Sequence, residues 1–301
     1  MKNAINYYYN LNPYDIHQIN KIYKFKILNN NYIVYPYNRK IEELDEIYEL
    51  HIYLNLIGIY CHKIILNKDN QILTYINGIQ YVLLQTNIEN KNIKIQDITN
   101  LSNISIRELQ YQKIKRKEWK KLWENKIDYI EYQISQFGKK YPLIRESSDY
   151  YIGIVENCIA LLSNINNKNQ QQAIQHDRIN EKYTTEDFYN PLNFIIDNRI
   201  RDISEYIKSY LIEDIDIIPY IQNYIYTNRL TKDEILLLFI RIMYPSTYLD
   251  ISELILNNKI KEKELLKVIN NSEKYEKNIK RIYRYLRNIT SIPEIEWLNQ
   301  N

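Results

Sequence analysis

The sequence predicts an α+β chain with a small β-rich first lobe and a larger, mostly helical second lobe. Two observations carry this prediction. Residues 21–85 hold β-rich runs and turn signals around one helical pattern, and from residue 118 onward apolar residues recur at helical spacing. Residues 87–103 are polar and asparagine-rich without a strong period, so we take them as a connection between lobes at residues 1–87 and 88–301.

The first lobe reads as strand, strand, helix, strand, strand. Two β-rich runs within residues 21–37 flank three asparagines at 29–31, and asparagine tolerates the positive φ of a hairpin turn. Apolar residues recur every third or fourth position over 41–57, which indicates a helix. Two β-like runs follow at 59–67 and 71–85, and Asn77 with Gly78 breaks the second as a type I′ turn signal. The predicted order is ββαββ.

The second lobe is predicted to be helical around one short strand. An apolar stripe from Trp119 to Phe137 ends at Gly138 and Pro142, and a second stripe runs from Tyr151 to Leu162. A short apolar strand at 194–196 leads into an aspartate. Further helices are expected near 203–211, 219–227, 232–243, 251–269 and 274–289.

Composition excludes several classes of protein. The 4 glycines lie far apart, so Rossmann, Walker and nucleophile-elbow motifs cannot be written from them. With 2 cysteines and Cys61-His62 as the one adjacent pair of ligand types, neither a disulfide framework nor a zinc site is expected. No signal peptide or membrane span is expected, since the most apolar run, 235–242, contains Arg241 and is far shorter than about 20 residues. The 31 tyrosines fit the codon bias of an AT-rich genome.

A ββαββ lobe followed by a helical lobe is the layout of protein-kinase-like phosphotransferases. Their catalytic parts include a glycine-rich hairpin, a strand lysine paired with a helix glutamate, a catalytic aspartate and a metal-binding aspartate. The asparagines at 29–31 stand where we expect the phosphate-covering hairpin, and the strand at 32–37 has no lysine. The glutamates of the following helix therefore lack an obvious partner and read as a solvated face: Glu42, Glu43, Glu46 and Glu49.

Two aspartates are the candidate site residues of the second lobe. Asp177 follows His176 where a His-x-Asp loop is expected, but the residue two after His176 is Arg178, and Lys182 stands where the partner asparagine belongs. Asp177 is either a catalytic base or a polar loop residue. Asp197 ends an apolar strand, as a magnesium ligand does in this fold. The structural alternative is an ion pair with Arg199 or Arg201 and a cap on the next helix, together with Asp202 and Ser204.

Two basic runs are candidate surfaces for nucleic acid or other anions. Their net effect is small, since the chain carries a formal charge of only +3, and solvated helix faces are the simpler interpretation. Trp119 and Trp123 are most simply core residues. The basic residues are Lys113, Lys115, Arg116, Lys117, Lys120 and Lys121 in the first run, and Lys277, Lys280, Arg281, Arg284 and Arg287 in the second.

Two blocks of the sequence resemble a known family. Residues 118–131 and 145–159, followed by His176-Asp-Arg-Ile and residues 188–208, are similar to the middle of spore coat proteins of the YutH type, kinase-like relatives of the CotS family. The resemblance covers about residues 118–210. It implies the fold of aminoglycoside and choline kinases, with Asp197 at the metal-aspartate position, Asp202 as the acid that opens the next helix, and Asp177 one residue out of register.

The resemblance also implies a function. Coat members of the family are usually described as structural, with degraded catalytic motifs. We therefore expect a non-catalytic kinase-like protein, made in the mother-cell cytoplasm and placed in the spore coat, that binds other coat proteins and needs no cofactor. The alternative is a small-molecule phosphotransferase with an atypical site at Asp177 and Asp197, which would require ATP and Mg²⁺. A nucleic-acid binder is the least favoured reading.

Overall fold

A computed structural model describes residues 1–104, 106, 111–165, 170–180, 182–213 and 215–299. The chain divides into two units, each assembled from more than one stretch of sequence. Unit 1 comprises Met1–Ile93, Arg107–Lys115 and Lys182–Ile196. Unit 2 comprises Lys94–Ile106, Arg116–Glu181 and Asp197–Asn301.

Unit 1 is built on an antiparallel sheet. Its strands are β1 (His17–Ile19), β2 (Ile22–Ile27), β3 (Asn30–Pro36), β4 (Lys63–Ile65), β5 (Thr74–Ile76) and β6 (Ile79–Thr86). The spatial order is β1-β2-β3-β6-β4, and β5 pairs with β6. Asn77 and Gly78, at φ 51° and 78°, form the predicted turn between β5 and β6. The predicted β-rich first part is confirmed, although it has one more strand on each side of its helix than predicted.

The extra strand β1 moves the first hairpin. It pairs with β2 across a two-residue turn at Asn20 and Lys21, where Asn20 has φ 55°. The predicted hairpin within residues 21–37 forms between β2 and β3, with its turn at Leu28 and Asn29 and with Asn30 and Asn31 inside β3. It is the second hairpin of the chain, so only its placement as the first, phosphate-covering hairpin was wrong. Sequence reasoning missed β1 because its three residues are all exposed and show no alternation of apolar and polar side chains.

Helices cover the sheet of unit 1. Ile5 of α1 (Lys2–Tyr9) is fully buried against β2, β3 and β6 residues that include Phe25, Val34 and Leu83. The predicted helix at 41–57 is confirmed as a 3₁₀ turn, Ile41–Glu43, continued by α2 (Leu44–Leu56). Its buried stripe includes Ile47, which is 0% exposed.

The acidic face of α2 is not simply solvated. Glu46 is buried, and its carboxylate accepts hydrogen bonds from the backbone N–H groups of Gln112, Lys113 and Ile114 at 3.1, 2.8 and 3.0 Å. Glu43 accepts from Arg39 Nε at 2.6 Å. The prediction of a solvated face is therefore wrong for these two glutamates, because each meets a polar partner that is distant in sequence or one turn away.

Unit 2 is mostly helical. The predicted tryptophan helix is α4 (Trp119–Phe137), and Pro142 begins the next helix, α5 (Pro142–Leu162). The predicted strand is β8 (Phe194–Asn198), which pairs with β7 (Gln172–His176) and leads into α7 (Arg201–Ser209). The remaining helices of the described part are α3 (Ile95–Ser102), α6 (Thr185–Phe188, in unit 1), α8 (Ile218–Asn228), α9 (Lys232–Met243), α10 (Ser246–Leu256), α11 (Leu266–Ile269), α12 (Ser272–Ile289) and α13 (Glu296–Asn299).

Two helical predictions need correction. Residues 87–103 are not an unstructured connection, because they contain α3, whose short length and β-branched and asparagine residues hide its period. The single helix expected over 251–269 is broken after Leu256, where Asn258 takes a left-handed conformation at φ 56°. A left-handed residue ends a helix because it cannot continue the right-handed backbone.

One stretch, Lys232–Leu256, is long and apolar enough by length and composition to cross a membrane. Within its most apolar window, 72% of the residues are buried inside the protein. The stretch comprises α9 and α10, and this degree of burial is typical of core helices.

We expect Glu46→Gln to destabilise unit 1 by about 2 kcal/mol, because the amide replaces a charge-assisted acceptor of three backbone N–H groups with a weaker one. The measurement is urea unfolding followed by far-UV circular dichroism, with hydrogen exchange of residues 111–115 as a local readout. Glu42→Gln, on an exposed position of the same acidic segment, is the control and should cost less than about 0.5 kcal/mol. Equal effects of the two changes would contradict the assigned role of Glu46.

Candidate functional site

The candidate site of unit 2 lies where the end of β7, the end of β8 and the start of α7 meet. β7 ends at His176, and Asp177 follows it directly. β8 carries Asp197, and α7 begins at Arg201. The strand pairing and the short turn into the helix therefore bring the two candidate aspartates to the same place.

Both oxygens of the Asp197 carboxylate are engaged. Oδ1 accepts hydrogen bonds from the backbone N–H of Asn198 at 2.7 Å and from Trp119 Nε1 at 3.1 Å. Oδ2 accepts from Arg201 Nη1 at 2.6 Å and from Trp119 Nε1 at 3.0 Å. Asp197 is only 7% exposed. Its charge is thus neutralised inside the protein by a guanidinium.

Arg201 is the group that joins the three segments. Besides Asp197, it donates from Nε to the carbonyl of His176 at 2.9 Å and from Nη2 to the carbonyl of Asp177 at 2.7 Å. Burial alone would lower the pKa of Arg201, but the carboxylates of Asp197 and Glu205 raise that pKa above its ordinary value. The guanidinium therefore stays charged and holds the loop after β7 against β8.

Asp202 and Arg199 have other partners. Asp202 Oδ1 accepts from the backbone N–H of His176 at 2.9 Å, and its Oδ2 lies 2.6 Å from His176 Nδ1. Arg199 pairs with Glu234 of α9 through two hydrogen bonds of 2.5 and 2.7 Å. The sequence offered Arg199 and Arg201 as partners of Asp197, and it is Arg201 that forms the ion pair. Asp202 binds His176 and does not cap α7.

Asp177 has a more open environment. Its side chain is 68% exposed and Oδ1 accepts from Arg116 Nη2 at 2.6 Å. The next residue, Arg178, is 59% exposed and forms an ion pair with Asp250. In a His-x-Asp loop, the residue two after the histidine would be the catalytic aspartate. Here that residue is Arg178, and it pairs with Asp250. A catalytic role for Asp177 stays a prediction.

An aromatic cluster beside Asp197 encloses a second arginine. Trp119 and Trp123 are buried and stacked at 5.8 Å between ring centroids, and Tyr244 stacks on Trp123 at 4.0 Å. The guanidinium carbon of Arg241 lies 4.6 Å from the Trp119 ring centre, within cation–π range. The prediction that both tryptophans are core residues is confirmed. The Arg241 guanidinium lies over the faces of their rings.

Arg241 belongs to a buried ion cluster. Glu205 Oε1 accepts from Arg241 Nε at 2.7 Å and from Lys208 Nζ at 3.0 Å. Burial by itself raises the pKa of Glu205, but the cations of Lys208, Arg241 and Arg201 outweigh it and lower this pKa to about 2. Burial lowers the pKa of Lys208 to about 8. The cluster depends on an ionised glutamate.

Among the described residues of unit 1, no lysine of β3 pairs with a glutamate of α2 as in active kinases. β3 contains no lysine, and Glu46 of α2 binds backbone N–H groups instead. The first hairpin, which covers the phosphates in protein kinases, turns on Asn20 and Lys21 rather than glycine. Lys24 of β2 forms an ion pair with Glu186 of α6 in the cavity of about 450 Å³ beside this hairpin.

The residues around Asp197 do not fit a magnesium site as they are arranged. Mg²⁺ requires oxygen ligands in near-octahedral geometry, whereas this carboxylate already accepts from one guanidinium, one indole and one amide. No group of three or more His, Cys, Asp or Glu residues in the described part could hold a metal ion. A metal-binding role for Asp197 would require Arg201 and Trp119 to release it, and it stays a prediction.

Several members of the site escaped sequence reasoning. The Asp197/Arg201 pair is one of the two arginine pairings that the sequence offered for Asp197. The partners Trp119 and Arg241 lie tens of residues away, and nothing in their local pattern indicates Asp197. Lys24 and Lys26 lie on one face of β2, the ordinary polar alternation of an antiparallel strand, so nothing in the sequence distinguished Lys24 or indicated Glu186 as its partner.

Comparison with known proteins gives a consistent result. Residues 2–282 match the sequence family described as "Spore coat putative kinase YutH". No curated protein sequence matches the chain. The fold is similar to that of the aminoglycoside phosphotransferase from Alicyclobacillus acidocaldarius subsp. acidocaldarius DSM 446, with a TM-score of 0.71, 9% sequence identity and 96% of each chain covered.

Two further solved structures share the fold at low identity. A spectinomycin phosphotransferase in complex with AMP aligns with a TM-score of 0.60 and 13% identity over 94% of this chain and 96% of that chain. The amicoumacin kinase hAmiN, in complex with AMP-PNP, Ca²⁺ and Ami, aligns with a TM-score of 0.58 and 13% identity over 96% of both chains. At these identities the likeness shows the fold alone.

Glu205 should make stability depend on acid pH. Its pKa is about 2 when folded and near 4.5 when unfolded, so its stabilisation is complete above pH 4.5 and is lost as pH falls toward 2. We expect Glu205→Gln to cost about 3 kcal/mol at pH 7, with a smaller difference from wild type at pH 3. Urea midpoints followed by tryptophan fluorescence measure this, with Glu131→Gln on exposed α4 surface as control. A wild-type to variant difference that is constant from pH 7 to pH 3 would contradict it.

Proposed function

Because the chain belongs to the YutH family of spore coat proteins, we propose that it is a kinase-fold protein without phosphotransfer activity. We further propose that it acts by binding other proteins during assembly of the endospore coat. It is made in the cytoplasm of the mother cell and becomes part of the coat.

The observation that carries the non-catalytic proposal is the engagement of Asp197 by Arg201 and Trp119. Freeing this carboxylate for a metal strips a buried guanidinium of its partner, and breaking such a pair costs about 3–5 kcal/mol. Since 1.4 kcal/mol is a factor of ten, a cost near 3 kcal/mol weakens metal binding about a hundredfold. Magnesium therefore has to compete with a cation that is already part of the fold.

Three features of unit 1 support the same proposal. The turn of the first hairpin carries the side chains of Asn20 and Lys21, which prevent the close backbone approach that glycine permits. β3 offers no lysine to a phosphate. The Lys24–Glu186 ion pair places two charged side chains in the cavity beside this hairpin. A nucleotide entering there has to separate that pair.

We expect isothermal titration calorimetry of the full chain to show no Mg²⁺-dependent ATP binding tighter than about 1 mM. Two results together would establish the phosphotransferase instead. The chain would bind ATP·Mg²⁺ at micromolar concentration, and it would transfer phosphate to an aminoglycoside or choline in a reaction that Asp197→Asn abolishes without unfolding the protein. The Asp128→Asn variant, on the same tryptophan helix and exposed, controls for a general effect of removing a carboxylate.

The coat assignment has its own test. A tagged copy of the chain should be absent from vegetative cells, appear in the mother cell during sporulation, and be recovered in the coat fraction of purified spores. Expression in vegetative cells with no protein in spores would contradict this assignment and leave the non-catalytic proposal standing.

A further inference from the structure

A cavity of about 170 Å³ lies in unit 2, on a face of α7 that takes no part in the Asp197 cluster. Four isoleucines and three tyrosines from α3, α7, the segment after α7 and α8 line it. A cavity of about 150 Å³ lined by apolar side chains is large enough for benzene. This one therefore accepts a single aromatic ring or branched aliphatic side chain.

The rim of this cavity is exposed and apolar. Ile215 and Tyr220, which both line it, are 41% and 50% exposed, and neighbouring Ile212 is 42% exposed. Tyr210 donates a hydrogen bond to the Tyr206 hydroxyl at 3.2 Å, so two of the three tyrosine hydroxyls around the cavity are bonded to each other. An entering group consequently gains mainly from apolar contact.

Helix α12 runs beside the same segment and carries a basic stripe. Asn278 donates to the carbonyl of Leu211 at 2.6 Å, and Arg281 forms an ion pair with Asp216 at 2.9 Å. Both contacts tie α12 to the residues between α7 and α8 that form one wall of the cavity. The basic stripe and the cavity therefore belong to one continuous surface.

The stripe is strongly cationic for this chain. α12 carries six basic and two acidic side chains, a formal charge of +4, whereas the whole chain carries +3. The opposite side of α12 is apolar and buried, which fixes the outward direction of the stripe. Its exposed members, at helical spacing, are Lys277, Arg281, Arg284 and Arg287.

We propose that the cavity between α7 and α8 and the basic stripe of α12 together bind an acidic polypeptide segment that anchors one aromatic or aliphatic side chain in the cavity. An apolar pocket with a charged rim is the usual arrangement of an interface anchor and its surroundings. A protein partner fits better than nucleic acid, since the stripe has only four exposed cations, of which Arg281 is already paired with Asp216, and the cavity is lined by isoleucines and tyrosines. The inference rests on the proposed interaction role and names the chemistry of the partner.

The probe is a fluorescein-labelled peptide of twelve residues in which ten alternating Glu and Asp residues flank two central phenylalanines. Fluorescence anisotropy with the full chain should give a Kd of about 50 µM or tighter, weakening as NaCl rises from about 50 to 300 mM. A peptide with glycines in place of the phenylalanines should bind about tenfold more weakly.

Two variants test the two halves of the surface. Lys277→Glu/Arg284→Glu should weaken probe binding at least about tenfold, and Ile215→Ser about fivefold. The control Lys117→Glu/Lys121→Glu changes net charge equally at exposed positions elsewhere and should leave Kd within about twofold. Unchanged thermal unfolding of each variant confirms that the fold is intact.

The proposal is overturned by any of four results. These are a wild-type Kd weaker than about 200 µM, equal binding of the glycine peptide, an equal loss in the control variant, or tighter binding of a twelve-nucleotide oligothymidylate. The measurement uses no nucleotide triphosphate and the surface shares no residue with the Asp197 cluster. A protein that binds both ATP·Mg²⁺ and the probe would contradict the non-catalytic proposal alone.

Discussion

The buried ion pair between Asp197 and Arg201 is the interaction on which the centre of unit 2 depends. Arg201 neutralises the carboxylate at the end of β8 and, with its other two nitrogens, holds the carbonyls of His176 and Asp177. A buried pair of this kind adds little net stability compared with apolar packing, but removing one partner leaves an unpaired charge at a cost of about 3–5 kcal/mol. The pair is therefore hard to open once formed.

The same constraint extends to neighbouring side chains. Because Trp119 donates its indole N–H to Asp197, the tryptophan ring is fixed where Arg241 can stack on it. Arg241 in turn requires an ionised Glu205. Asp197 is thus the first member of a series of intramolecular contacts in which each of these charges has a partner from unit 2.

Much of the fold follows from local sequence. Three elements carry a complete local signal and form as predicted. They are the helix with its apolar stripe over 41–57, the turn at Asn77 and Gly78, and the apolar strand that contains Asp197. β1 and α3 lack such a signal, because β1 has no buried face and α3 is only two turns long. Their formation depends on neighbours that a linear pattern does not reveal.

The site was predictable to a smaller extent. The spacing of Asp197 and Arg201 allows an ion pair, and the sequence left Arg199 as an equal choice. Glu234, which is 35 residues further along, decides the matter by binding Arg199. Glu46 was assigned to solvent for the same reason, since its partners are backbone groups 66 to 68 residues away. Long-range polar pairing is the information that one sequence does not contain.

The most direct test of the central claim is a titration of the wild-type chain with Mn²⁺, followed by electron paramagnetic resonance, with and without AMP-PNP. If Arg201 holds the Asp197 carboxylate, the free Mn²⁺ signal should fall no faster with wild type than with the Asp197→Asn variant. The opposite result is binding of one Mn²⁺ per chain at micromolar concentration that is lost in Asp197→Asn and retained in Asp128→Asn. It would contradict the claim that Arg201 holds this carboxylate and would identify Asp197 as a metal ligand.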